Sequence, residues 1–121
     1  MASENKLVEY TIVGHDVVCK VAGVSFEGRQ GRIRTMSTGD ILTIQPTPHP
    51  THEQAVKVFP KGNPEDMGYL PRLLADIVYA NFMENGNPIY VEGSLLEITG
   101  GFSVEVNVGM IIGFTMPSGR I

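Results

Sequence analysis

Three prolines at alternate positions, Pro46, Pro48 and Pro50, end an apolar strand and restrict what can surround it. Proline donates no ladder hydrogen bond and biases the preceding residue toward extended backbone. The strand Asp40-Ile41-Leu42-Thr43-Ile44 must therefore stop at Gln45, and a stiff loop must follow. Regular structure then resumes. Gln54 to Phe59 sets Ala55, Lys57 and Phe59 on one face and Gln54, Val56 and Val58 on the other, the period of a strand. Pro60-Lys61-Gly62-Asn63-Pro64 ends it, and Met67 to Leu70 can pair briefly before a helix begins. Leu70, Leu73, Leu74, Ile77 and Val78 recur at three- and four-residue spacing, with Pro71 where a first-turn proline is tolerated. They predict an α-helix over about 71–84, with Gly86 terminating it or following its end. Gln45 to Tyr79 is thus loop, strand, turn and helix without a gap, and a site is expected there.

The remainder reads as strands. Residues 7–13 and 17–26 are β-branched runs joined by a turn at Gly14-His15-Asp16, and 88–99 and 102–112 flank a turn at Gly100-Gly101. Between them, Glu27 to Asp40 holds Gly28, Gly31 and Gly39 with Arg29, Arg32 and Arg34, has no sustained apolar period, and is expected to be a loop. At 121 residues the chain is one domain, 1–121. Six or seven short strands with one inserted helix predict a mostly β fold: a small, OB-like, partly open β-barrel, with a sandwich as the alternative.

Several classes of chemistry find no support. His49 and His52 lie three apart in a loop, and His15 could join them, but structural zinc takes four ligands and no Cys or Asp stands at a matching spacing; no metal site is expected. The single Cys19 falls in an apolar strand, which excludes an internal disulfide and disfavours a reactive thiolate. No nucleophile elbow, phosphate loop or dinucleotide fingerprint occurs, and Gly28-Arg29-Gln30-Gly31 runs on into the expected loop. No enzyme activity and no cofactor are expected. The start, Met-Ala-Ser-Glu-Asn-Lys, lacks a charged region leading into an apolar core, and no apolar run approaches the roughly 20 residues of a membrane helix, so a cytoplasmic, membrane-free protein is expected.

Anion binding has more to recommend it. Net charge is −4, so contact with a polyanion needs a local basic patch. Arg29, Arg32, Arg34, Lys61 and Arg72 all fall in expected loops or at the helix start, where long cationic side chains reach phosphates. Phe26, Tyr69 and Phe102 stand at strand ends near these cations, and exposed rings there offer faces on which bases stack.

This order of motifs resembles the HIRAN domain, known at the front of some DNA-remodelling ATPases and as small free-standing bacterial and phage proteins. The resemblance covers about residues 10–110. It is carried by Val21-Ala22-Gly23-Val24-Ser25-Phe26-Glu27-Gly28, by Gly39 to Ile44, by Gln54-Ala55-Val56-Lys57-Val58 and by Met67-Gly68-Tyr69-Leu70-Pro71-Arg72-Leu73-Leu74-Ala75. It implies an OB-like barrel with a helix that binds single-stranded DNA at its 3′ end in a DNA-repair setting. Phe26 and Phe102 then match rings that meet bases, and Tyr69 and Arg72 match a ring and a cation at the terminal nucleotides. Where the family's loop commonly reads Asn-Pro-Tyr-Asp, this chain has His49-Pro50-Thr51-His52, an imidazole in place of a carboxylate.

The expected function is a nucleic-acid-binding module for single-stranded DNA. Phe26, Tyr69 and Phe102 would supply stacking surfaces, and Arg29, Arg32, Arg34 and Arg72 phosphate contacts. His49, Thr51 and His52 would line the groove end, with DNA-processing proteins as further partners. The alternative is a protein-interaction domain that keeps the barrel without the DNA site.

Overall fold

The β-branched runs pair into one antiparallel sheet. The computed structural model describes residues 9–26, 28–100 and 107–117. Phe102 and the start of the strand expected over 102–112 lie outside these residues, as do Gly101 and the first two residues of the strand expected over 7–13. The main sheet contains β1 (Tyr10–Val13), β2 (Asp16–Lys20), β3 (Ile41–Pro46), β4 (Val56–Pro60), β5 (Gly68–Tyr69), β8 (Val91–Gly100) and β9 (Val108–Thr115). Their order is β1-β2-β9-β8-β3-β4-β5, and the sheet curls into a half-barrel consistent with an OB-like, partly open barrel. Beyond β2, the Val21 N–H donates to the Met110 carbonyl, and Ala22 then bridges to Tyr69 on the far edge strand. This bridge pairs the two edges of the half-barrel backbone to backbone.

Alternation fills the interior. Leu42, Ile44, Val56, Val58, Leu95, Met110 and Ile112 point inward and are buried, as is Cys19. One end is covered by α2 (Arg72–Val78) and the 3-10 turn Tyr79–Phe82. From them and the residue before Pro71, Leu70, Leu74, Val78 and Phe82 enter the core at four-residue intervals, and Phe82 meets Phe114 edge to face at 6.0 Å. Burying each such side chain contributes about 1.5–3 kcal/mol.

Three expectations need correction. The helix is shorter than 71–84: after Val78 the backbone tightens into the 3-10 turn, and Met83 is already extended. Asn85 and Gly86 both take positive φ, 53° and 81°, which makes them the two-residue turn between β6 (Met83–Glu84) and β7 (Asn87–Pro88). Gly86 turns a hairpin and does not close a helix. Second, only part of the apolar helical pattern is buried: Leu73 and Ile77 are 67% and 54% exposed on the outer side of α2. Third, the expected loop from Glu27 to Asp40 contains a helix, α1 (Arg29–Ile33). Five residues cannot hold a helix by propensity. Tertiary anchors hold this one, since Ile33 is buried and the Gln30 amide donates to the carbonyls of Val24 and Val108 and accepts from the Val108 N–H.

Candidate functional site

A cleft forms where the chain leaving β2 meets β5. Ala22 and Tyr69 exchange two backbone hydrogen bonds of 2.7 and 2.9 Å, which set the segment 22–26 beside the Tyr69 ring. Only glycine allows this approach at position 68. Its φ is +143°, and a Cβ there would collide with the Ala22 carbonyl oxygen and lie 2.7 Å from Val21 Cγ1. Gly23, at φ +76°, then turns the chain toward α1.

An ion cluster fixes the Tyr69 side of the cleft. Asp66 accepts from Arg29 Nε at 2.6 Å on one carboxylate oxygen and from Lys57 Nζ at 3.0 Å on the other. Arg29 also donates to the Gly23 carbonyl at 2.9 Å, and Arg32 Nε donates to the Asp66 carbonyl at 3.0 Å. Burial alone would raise the Asp66 carboxyl. The hydrogen bonds from Arg29 and Lys57, and behind them the charges of both, outweigh that effect and hold it below its ordinary value. Lys57 stands directly across from Tyr69 in the β4–β5 ladder. The two cations that hold Asp66 therefore also flank the ring, with Arg29 Cζ 5.3 Å and Lys57 Nζ 5.5 Å from its centroid.

The proline loop forms the opposite wall and is tied to α2. His49 and His52 exchange backbone hydrogen bonds of 3.1 and 2.9 Å, making a tight turn, and Thr47 N–H to Ala55 O closes the loop's base at 2.8 Å. Inside the turn, Nδ1 of His49 accepts from the Thr51 N–H at 3.1 Å and lies 2.9 Å from its hydroxyl. Because Nδ1 accepts an N–H, the ring proton of His49 resides on Nε2. From α2, Arg72 Nη2 donates to the Thr51 carbonyl at 3.1 Å, and Asp76 Oδ1 meets His52 Nε2 at 2.9 Å. The His49 ring packs edge-on to Tyr69 at 6.2 Å, bringing the two walls together.

The cleft, open to solvent, holds about 340 Å³ and is lined by Phe26, Arg29, His49, Thr51, His52, Tyr69 and Arg72, with Ala22, Gly23, Ala55 and Leu70 as apolar filling. No Asp or Glu among the described residues belongs to this lining. In a chain of net charge −4, every ionisable lining group is thus a cation, an imidazole or a phenol. Phe26 is 62% exposed at the cleft, an uncommon position for a phenylalanine with no packing duty.

Residues far apart in sequence are therefore gathered here, though not all that sequence patterns suggest. Arg29 lines the cleft from a buried position, 2% exposed, with its guanidinium committed to Asp66 and Gly23. Arg32 faces a separate depression with Thr35, Asp40 and Lys61, and Arg34 is exposed at the end of α1. Phe102 lies outside the described residues. Asp66 and Asp76, which organise the two walls, carry no sequence signal: each is a lone acid whose partners come from distant segments. Among the described residues no group of three or more His, Cys, Asp and Glu could hold a metal ion, and no helix is long and apolar enough to cross a membrane. Compared with protein-family models, curated proteins and solved structures, the chain matches none.

Proposed function

We propose that the chain binds single-stranded nucleic acid, with single-stranded DNA as the favoured ligand, as a module of the HIRAN kind with no catalysis of its own. One observation carries this: an acidic protein has a cleft with exposed and half-exposed aromatic faces, two arginines and no carboxylate in its lining. Phe26 and Tyr69 suit bases, which stack on such rings for about 1–3 kcal/mol each, and Arg72 suits a phosphate oxygen. The OB-like barrel supports the proposal by analogy, since such barrels bind oligonucleotides across their open face. A DNA-repair role and partners among DNA-processing proteins follow from the same resemblance.

Fluorescence anisotropy with short labelled oligonucleotides tests it. Micromolar binding that weakens as salt rises is the expected result, and replacing Tyr69 or Arg72 with Ala weakens it. No salt-dependent binding at micromolar protein would overturn the proposal. The exposed Leu73 and Ile77 favour a second reading, a protein-interaction surface on α2. Oligonucleotide binding that is indifferent to Tyr69 and Arg72 would point that way.

A further inference from the structure

We propose that the outer face of the sheet docks a short segment of a partner protein in which lysine or arginine flanks apolar side chains. The surface shares no lining residue with the cleft, so the inference stands independently of what the cleft binds. An antiparallel sheet with one solvated face alternates apolar inward with polar outward. One row of outward positions follows that rule: Asp16 pairs with Thr115 and Thr43 with Glu92, all polar. The next row breaks it. Val18 pairs with Gly113, Gly113 with Ser94 and Ser94 with Ile41, so two exposed β-branched side chains end a row that crosses β2, β9, β8 and β3. Between them, the register shift from Leu95 to Glu97 is a β-bulge that adds Leu96 to the same face. Leu96 is exposed and leans over Gly113, where a Cβ would lie 3.1 Å from its Cδ1. Strand propensity accounts for an outward valine or isoleucine, but not for a leucine that a bulge aims at the same row.

Charge selects the occupant. The depression over this row holds about 460 Å³, and its lining includes Asp16 and Glu92 and no cation. Asp16 accepts from the Thr115 hydroxyl at 2.7 Å through Oδ1 alone. Glu92 meets Lys61 at 2.9 Å, but both side chains are exposed, and such a pair contributes little and exchanges partners readily. On the far side of the row, Lys20 and Glu97 both stand opposite Ile111 and offset one another. A second copy of the chain would set the same two carboxylates against these two, and with a net charge of −4 on each chain like charges oppose that arrangement. A basic segment with apolar side chains meets both features, the apolar row and the acidic rim. Four strands at ladder spacing set Val18 and Ile41 about 14 Å apart, the length of four or five extended residues.

The test titrates three capped pentapeptides, Lys-Val-Lys-Val-Lys, Lys-Ser-Lys-Ser-Lys and Glu-Val-Glu-Val-Glu, into the isotope-labelled full chain and follows its backbone amide shifts by NMR. The expected result is saturable binding of the Lys-Val peptide at about 1 mM or tighter, with shifts centred on Val18, Ile41, Ser94 and Gly113, and binding about tenfold weaker for the other two peptides. Asp16→Asn with Glu92→Gln should weaken the Lys-Val peptide about three- to tenfold, the scale of two exposed ion pairs, and Val18→Thr with Ile41→Thr by a similar factor. All four positions are exposed, so the melting temperature and oligonucleotide affinity of both double variants should stay close to wild type. Equal binding of the Lys-Val and Lys-Ser peptides, or shifts scattered over the protein's other carboxylates, would mean diffuse charge attraction and overturn the inference. Absence of saturable shifts at about 5 mM peptide would overturn it as well. A dimer in analytical ultracentrifugation that Val18→Thr with Ile41→Thr dissociates would assign the face to a second copy and also overturn it.

Discussion

Replacing Asp66 with Asn preserves the shape of the side chain and removes the charge that two cations share. Arg29 is almost wholly buried, so its guanidinium cannot recover hydration when that charge is lost. Lys57 is partly exposed and can turn to water, so its share of the loss is small. Breaking one partner out of a buried pair costs about 3–5 kcal/mol, because it leaves the other charge uncompensated. For a domain of this size, a urea slope of about 1.5–2 kcal/mol/M converts that cost into a fall of about 2 M in the unfolding midpoint. Chemical denaturation followed by circular dichroism measures it. Replacing Arg29 with Met and Asp66 with Leu together should recover most of the loss, since an apolar pair leaves no buried charge. Acid adds an independent check. The folded Asp66 carboxyl lies below its ordinary value of 3.8, so its stabilisation is present above that value and is lost as pH falls toward the folded value. The gap between wild type and Asp66→Asn should therefore narrow below about pH 4. A midpoint shift under about 0.5 M at neutral pH would refute the claim that this cluster holds the cleft wall.

Gly68→Ala should cost about 3 kcal/mol or more, because a Cβ meets the Ala22 carbonyl and the positive φ disfavours any side chain; a melting temperature within a few degrees of wild type would contradict the close approach described. Phe26→Ala should lower oligonucleotide affinity about 5- to 100-fold in anisotropy with little change in melting temperature, since the ring is mostly exposed; a matching loss of stability would mark it as a packing residue. Burial pushes the Cys19 thiol up to about 12, so a disulfide reagent at pH 8 should label it only as fast as the protein unfolds. Because the fold favours the neutral thiol, stability should also fall as pH rises from 9.0 toward that value, and rapid native-state labelling would argue against the burial.

The strands were legible because alternation is a local property: Val56 and Val58 against Lys57 and Phe59 can be read without knowing what they face. Parts of the cleft walls were legible for a similar reason, since Pro46 to His52 announce a loop and Met67 to Arg72 a short strand running into a helix by residue type. What escaped depends on distant partners. Helix α1 exists because Gln30 reaches Val108, a contact across 78 positions, and a five-residue segment has no period to display. Asp66 looks like any loop acid until Arg29 and Lys57 converge on it. Leu73 and Ile77 share the apolar spacing of the helix, and only the position of the sheet decides that Leu74 and Val78 face inward instead. The Asn85-Gly86 hairpin is a different case, for its signal was local and was masked by the helical pattern running up to it.

The Ala22 to Tyr69 bridge fastens the two edges of the barrel backbone to backbone, and the bonds from Arg29 and Arg32 to Asp66 fasten them again through side chains. A ligand stacked between Phe26 and Tyr69 would touch both edges, so its binding free energy would add to what holds them together. Occupancy can then be read without any label. The amide protons of Ala22 and Tyr69, exchanged for deuterium in the empty protein whenever the fastener slips, should exchange more slowly by the factor that the ligand adds to closure.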